Sequence, residues 1–177
     1  MAKFANADGR GQGLIAIDST STTALPVASG ADSIVIGGDA SGAGQSAIAI
    51  GNRTTLGATA AAGIAAIAIG SNSLADHTYS IAIGNGDSSN SGAAAQSQGA
   101  IVIGAGATSN NGYATQLGGV AIGFSSHGSG ISSIAIGAYA SSPNNYSALV
   151  LVRALDTASP SGYRCTVEEH PSRKGRA

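Results

Sequence analysis

Three histidines and one cysteine are the residues of this chain with the widest chemical reach. A histidine can hold or pass a proton near neutral pH, and a cysteine can attack as a thiolate. His77 and His127 lie in polar segments between apolar blocks, and His170 lies near the C-terminus. Acid–base work would need a second group beside them. Between Ser19 and Val152 the charged residues are Asp32, Asp39, Arg53, Asp76 and Asp87, with no paired carboxylates among them. The two inner histidines therefore read as exposed or interface side chains, and no catalytic residue is assigned. Cys165 stands alone and cannot form an intramolecular disulfide.

Other chemistries lack their residues too. Gly84–Asn90 offers oxygen ligands without the acidic cluster that holds calcium, and no His/Cys set has zinc spacing. Gly9-Arg-Gly-Gln-Gly13 lacks the strand and helix that flank a phosphate loop. Thr residues do not form the regular ranks of an ice-binding face. A net charge of −1, with neither a basic stripe nor interleaved aromatics, gives nucleic acid or a membrane surface nothing to hold. The expectation is no enzyme, no cofactor, no metal, no nucleic-acid partner and no membrane insertion.

The elements that carry these residues come from a repeat. Among 177 residues there are 27 glycines, 43% hydrophobic residues and 10% charged ones. So many small residues suggest low complexity, but the aliphatics are regularly spaced, which points to a repeat fold with a thin core. One block recurs as Ser33-Ile-Val-Ile-Gly37, Ala47-Ile-Ala-Ile-Gly51, Ala66-Ile-Ala-Ile-Gly70, Ser80-Ile-Ala-Ile-Gly84, Ala100-Ile-Val-Ile-Gly104, Gly119-Val-Ala-Ile-Gly123 and Ser133-Ile-Ala-Ile-Gly137. Degenerate copies flank it at Leu14–Asp18 and Ala148–Val152. From Asp18 to Val152 the steps are 19, 14, 19, 14, 20, 19, 14 and 15. An insertion of about five residues at one place in the coil would explain the two sizes.

Alternating large and small residues make each block a strand, and its glycine a turn that needs positive φ or close chain approach. The turn residues are Gly37, Gly51, Gly70, Gly84, Gly104, Gly123 and Gly137. Second strands are expected near Ala40–Ala43, Ser73–Ala75, Ser126–Gly128 and Ala140–Ser142. Stacked at about 4.8 Å, roughly nine short rungs make an all-β parallel rod about 40 Å long. The isoleucines are expected to fill the roll core: Ile34, Ile36, Ile48, Ile50, Ile67, Ile69, Ile81, Ile83, Ile101, Ile103, Ile122, Ile134 and Ile136. The middle residues Val35, Ala49, Ala68, Ala82, Val102, Ala121 and Ala135 are expected on the opposite face. All are small and apolar, so that face is expected to close a homotrimer.

The Ser-Ile-Ala-Ile-Gly run with a repeat near 14 resembles the YadA-like head of trimeric autotransporter adhesins, over about Leu14 to Val152. That resemblance implies a left-handed parallel β-roll solenoid, an obligate trimer and attachment to a host surface. The repeat is also similar to that of trimeric left-handed β-helix acyltransferases, which use a histidine at a subunit interface. Their three-sided coils need steps near 18, which a step of 14 does not fit.

Three segments are expected: an N-terminal cap or arm at 1–13, the β-roll repeat domain at 14–152, and a C-terminal cap with basic tail at 153–177. Within the last, Tyr163–Glu168 reads as a closing strand, and Arg153, Arg164, Arg173, Lys174 and Arg176 as a docking tail for an acidic partner surface. Met1 lies close to the first rung, and neither a signal-peptide core, a heptad stalk nor a membrane-barrel pattern is evident. The expected setting is therefore a phage virion, as a capsid decoration (cement) protein or fibre component bound to the major capsid or another virion protein. An adhesin head on a bacterial surface is the alternative.

Overall fold

The computed structural model describes residues 15–17, 25–52, 59–86, 92–105, 113–114, 117–129, 131–142, 149–151 and 166–168. The chain forms an all-β parallel solenoid from two sheets. Three-residue strands β1 (Ile15–Ile17), β3 (Ile34–Ile36), β5 (Ile48–Ile50), β7 (Ile67–Ile69), β9 (Ile81–Ile83), β11 (Ile101–Ile103), β13 (Val120–Ile122), β15 (Ile134–Ile136) and β17 (Leu149–Leu151) stack in chain order. Between them run two-residue strands: β2 (Val27–Ala28), β4 (Ser41–Gly42), β6 (Ala60–Ala61), β8 (Leu74–Ala75), β10 (Ala94–Ala95), β12 (Tyr113–Ala114), β14 (His127–Gly128) and β16 (Ser141–Ser142). These form the second sheet. Of these, β4, β8, β14 and β16 fall where second strands were expected. Within Tyr163–Glu168, β18 (Thr166–Glu168) lies antiparallel along β17, at the C-terminal edge of the long sheet.

β-branched residues with a small one between them favour this pleated backbone. The register holds from coil to coil: Ile34 pairs with Ile48, Val35 with Ala49 and Ile36 with Ile50. Tight turns close both ends of the shorter coils. Before a long strand, the Ala47 N–H donates to the Gly44 carbonyl at 3.2 Å, and that of Ser80 to His77 at 3.1 Å. After a long strand, the Ala140 N–H donates to the Gly137 carbonyl at 3.2 Å. The third residue of such turns has φ near +57°, as in Ser46, or +60°, as in Tyr79. That conformation is disfavoured for a side-chain-bearing residue. The stack compensates: the Ser46 N–H donates to the Ala31 carbonyl of the preceding coil at 2.7 Å, and that of Tyr79 to Ile64 at 2.9 Å.

The repeat glycines stand where carbon would collide. A Cβ on Gly84 would overlap the carbonyl oxygen of Gly104, and one on Gly104 that of Gly123. The expectation of close approach is met along this column.

The two step lengths have one origin. Seven residues separate the start of a short strand from the next long one, as from Ser41 to Ile48 or from Ala60 to Ile67, except before β17, where eight separate Ser141 from Leu149. From a long strand to the next short one, seven separate Ile34 from Ser41, but twelve separate Ile48 from Ala60 and thirteen separate Ile81 from Ala94. The insertions of five or six residues therefore enter at the corner that follows a long strand, and the single extra residue of the last coil enters before β17. Where a longer coil follows a shorter one, an asparagine bridges the gap. Asn52 Oδ1 accepts from the Gly38 N–H at 3.0 Å, and Asn85 Oδ1 from the Ser71 N–H at 2.9 Å.

The assignment of inside and outside is the reverse of the expected one. Val35, Ala49, Ala68, Ala82, Val102, Ala121 and Ala135 are fully buried within a single chain, so they line the roll and cannot be subunit contacts. Ile34, Ile36, Ile48, Ile50, Ile67, Ile69, Ile81, Ile83, Ile101, Ile103, Ile122, Ile134 and Ile136 point outward, half-buried or exposed, and are not the core. The reason is room. Tight turns at both ends press the two sheets together, and only small side chains fit between them. A Cβ on Gly42, in the short sheet, would lie 2.6 Å from Val35 Cγ2 of the long sheet. The interior is completed by Ala28, Ala61, Ala75, Ala95 and small hydroxyl residues. Ser73 Oγ donates to the Gly70 carbonyl at 2.8 Å and Ser80 Oγ to His77 at 2.6 Å, satisfying them where water is excluded.

Candidate functional site

With the interior filled by Ala, Ser, Gly and Val, the large apolar side chains have only the outer face of the long sheet. The parallel register sets them in two columns. One runs Ile15, Ile34, Ile48, Ile67, Ile81 and Ile101, then continues through Val120, Ile134 and Leu149. The other runs from Ile17 through Ile36, Ile50 and Ile69 to Leu151 in the same register. Ile103 is 38% exposed and Ile136 37%. Side chains in each column shield their neighbours along the stack but leave their outer surfaces bare. Eight intervals of about 4.8 Å give the face a height of about 38 Å, and three residues give a width of about 10 Å.

No charged residue interrupts either column. A continuous apolar face of this kind is larger than a solvated wall usually carries. Its chemistry is shape and hydrophobic burial; it supplies no nucleophile, base or ligand set.

The opposite face is mixed. Along the short sheet, successive strands bring Val27, Ser41, Ala60, Leu74, Ala94, Tyr113, His127 and Ser141 into register. His127 is half-buried there, and His77 is exposed at the turn that precedes β9. Between β8 and β14 lie three strand spacings, about 14 Å, so the structure does not bring the two histidines together. Among the described residues no group of three His, Cys, Asp or Glu side chains could hold a metal ion. Among the described residues no helix is long and apolar enough to cross a membrane. His170, Cys165, Arg153, Arg164, Arg173, Lys174 and Arg176 lie outside the described residues.

Two features escaped sequence reasoning. One is the outward isoleucine face itself. The other is an aromatic contact at the corners that follow β13 and β15, where Phe124 and Tyr139 meet edge to face with centroids 5.4 Å apart. Phe124 follows its glycine by one residue and Tyr139 by two, so no fixed spacing announced the pair.

No curated protein and no solved structure matches the chain. A family model described as YadA head domain repeat (2 copies) matches at residues 28–54, 61–86 and 114–140, somewhat less than half of the sequence. Each match spans long and short strands of the solenoid, and over these three stretches the chain carries YadA head domain repeats.

Proposed function

We propose that the chain is an adhesin-like head module, a rigid uncharged rod that works as a homotrimer and has no catalytic task. The observation that carries this is the two-column isoleucine face. It is apolar along the whole stack, and the interior has no space to receive it. Three copies related by an axis parallel to the stack would turn these faces inward and bury them together. Closed cyclic symmetry then leaves no copy with a bare face, which a linear arrangement would not achieve. The YadA head repeats support the same assembly and a surface-displayed, adhesive role.

Such a rod would present its short-sheet face outward. With little charge to offer, it would recognise a host ligand by shape and hydrogen bonding. A place in a phage particle, decorating a capsid or building a fibre, would use the same rod. No geometric feature or relative favours that setting, so the adhesin-like reading stands first.

Sedimentation of the purified chain tests the assembly: a trimer is expected at micromolar concentration, and a stable folded monomer would overturn it. Binding of the trimer to immobilised matrix proteins and glycans tests the role. Absence of binding to either, together with recovery of the protein in purified virions, would transfer it to the particle.

A further inference from the structure

We propose that the subunit contact extends from the isoleucine ladder onto the coil corners, where Phe124 and Tyr139 of one copy pack against Leu117 and Ile131 of the next. This rests on the trimeric reading above. The ladder alone is narrow: about 38 Å by 10 Å is a flat footprint near 400 Å², divided between two neighbours. A standard stable interface buries about 800 Å² on each partner. The contact must therefore reach beyond the ladder, and the surfaces next to it are the turns at either end of each long strand.

Closed three-fold symmetry decides which turns meet. With the axis parallel to the stack, every coil of one copy lies at the height of the same coil in the others. The interface is head-to-tail, so the turn after a long strand faces the turn before the equivalent strand of the next copy. At the level of β13 this places Phe124 opposite Leu117, and at the level of β15 it places Tyr139 opposite Ile131. Tyr139 is 65% exposed and Leu117 55%, large apolar surfaces left bare in the single chain. The lower levels at which both turns are described, β3 and β7, offer no such match. At β3 the turns carry Ala31 and Asp32 against Gly38 and Asp39, and at β7 Ile64 would meet Ser71 and Asn72. The edge-to-face stacking of Phe124 and Tyr139 presents both rings as one block.

Cross-linking tests the pairing. In a Cys165→Ser background, the full chain carrying Ile131→Cys and Tyr139→Cys is treated with a short bis-maleimide. Within one chain the two sites are separated by the extended segment 133–137, about 13 Å or more, so a short linker joins them only between copies. A covalent trimer on a denaturing gel is expected. The pair Ala31→Cys and Tyr139→Cys, six strand spacings or about 29 Å apart in height, should give none. Leu117→Cys with Phe124→Cys supplies a second matched pair should the first impair assembly. A trimer by sedimentation in which neither matched pair cross-links would overturn the corner contact and leave the trimer standing. A monomeric unmodified chain would overturn the trimer itself.

Discussion

Val102 and Ile103 are adjacent in sequence, and the structure gives them opposite fates. Val102 is 0% exposed inside the roll, whereas Ile103 is 38% exposed on the outer face. Glutamate at each position separates folding from assembly. In Val102→Glu a carboxylate enters a closed space lined by Ala and small hydroxyl residues, with no cation among the described residues to pair it. Burying an unpaired ion costs several kcal/mol even after relaxation, comparable to the whole stability of a small domain. The strand signal in circular dichroism should be lost. In Ile103→Glu the single chain keeps its interior, and the loss falls on association. Full burial of an isoleucine is worth about 1.5–3 kcal/mol, so the exposed 38% accounts for about 1 kcal/mol per copy. Three carboxylates brought to one height on the axis add several kcal/mol each. Together the loss is on the order of 10 kcal/mol per trimer, about seven decades in the association constant. Assembly would raise the pKa of the introduced carboxyl, so the trimer binds its protons more tightly than the monomer does. Acidification below the free glutamate value of about 4.3 should therefore restore assembly. Sedimentation across pH reads this directly. A trimer of Ile103→Glu that persists at neutral pH would refute the placement of the interface. A well-folded Val102→Glu would refute the interior.

The glycine column gives a second test. Gly84→Ala forces a Cβ into the Gly104 carbonyl and should abolish cooperative thermal unfolding, whereas Gly99→Ala, with open space and φ of +67°, should cost only about 1–2 kcal/mol in urea. Asn52→Ala leaves the buried Gly38 N–H without its 3.0 Å acceptor, and a loss of about 1–3 kcal/mol is expected in the same assay. Conversely, Ser33 Oγ is buried with no hydrogen-bond partner, so Ser33→Ala should leave the melting temperature unchanged or raise it. If assembly supplies most of the apolar burial, the melting temperature should also rise with protein concentration, and a midpoint constant across a hundredfold range would contradict that coupling.

Much of this architecture is legible in the sequence. The Ile-x-Ile-Gly blocks give the long strands, their register and the column of close-approaching glycines. The two step sizes give an insertion of about five residues in one part of the coil, though not which corner takes it. The polarity of the faces was not legible from alternation alone, because alternation separates two faces without saying which one is inside. A cue does exist: a coil of 14 residues with two tight turns leaves only a few inward positions, as at Ser33, Val35, Ala40 and Gly42. Sheets so close together admit no isoleucine between them. The roles of Asn52 and Asn85 depend on which coil lies beneath them, and the Phe124–Tyr139 contact joins turns that differ by one residue in spacing.

That inversion changes what the repeat is for. A roll that kept isoleucine inside would carry its own stability and could remain a monomer with a bland alanine surface. This chain instead packs its interior with side chains that bury little area and lose little entropy, and it places its greatest apolar area outside. Each coil contacts only the coils above and below it, so stability accumulates as a sum of small nearest-neighbour terms. The outer ladder is the element able to couple those terms across copies, since each isoleucine level would meet its equivalents at the same height. In such an assembly the true hydrophobic core is the space between the rolls, and the rolls are its walls.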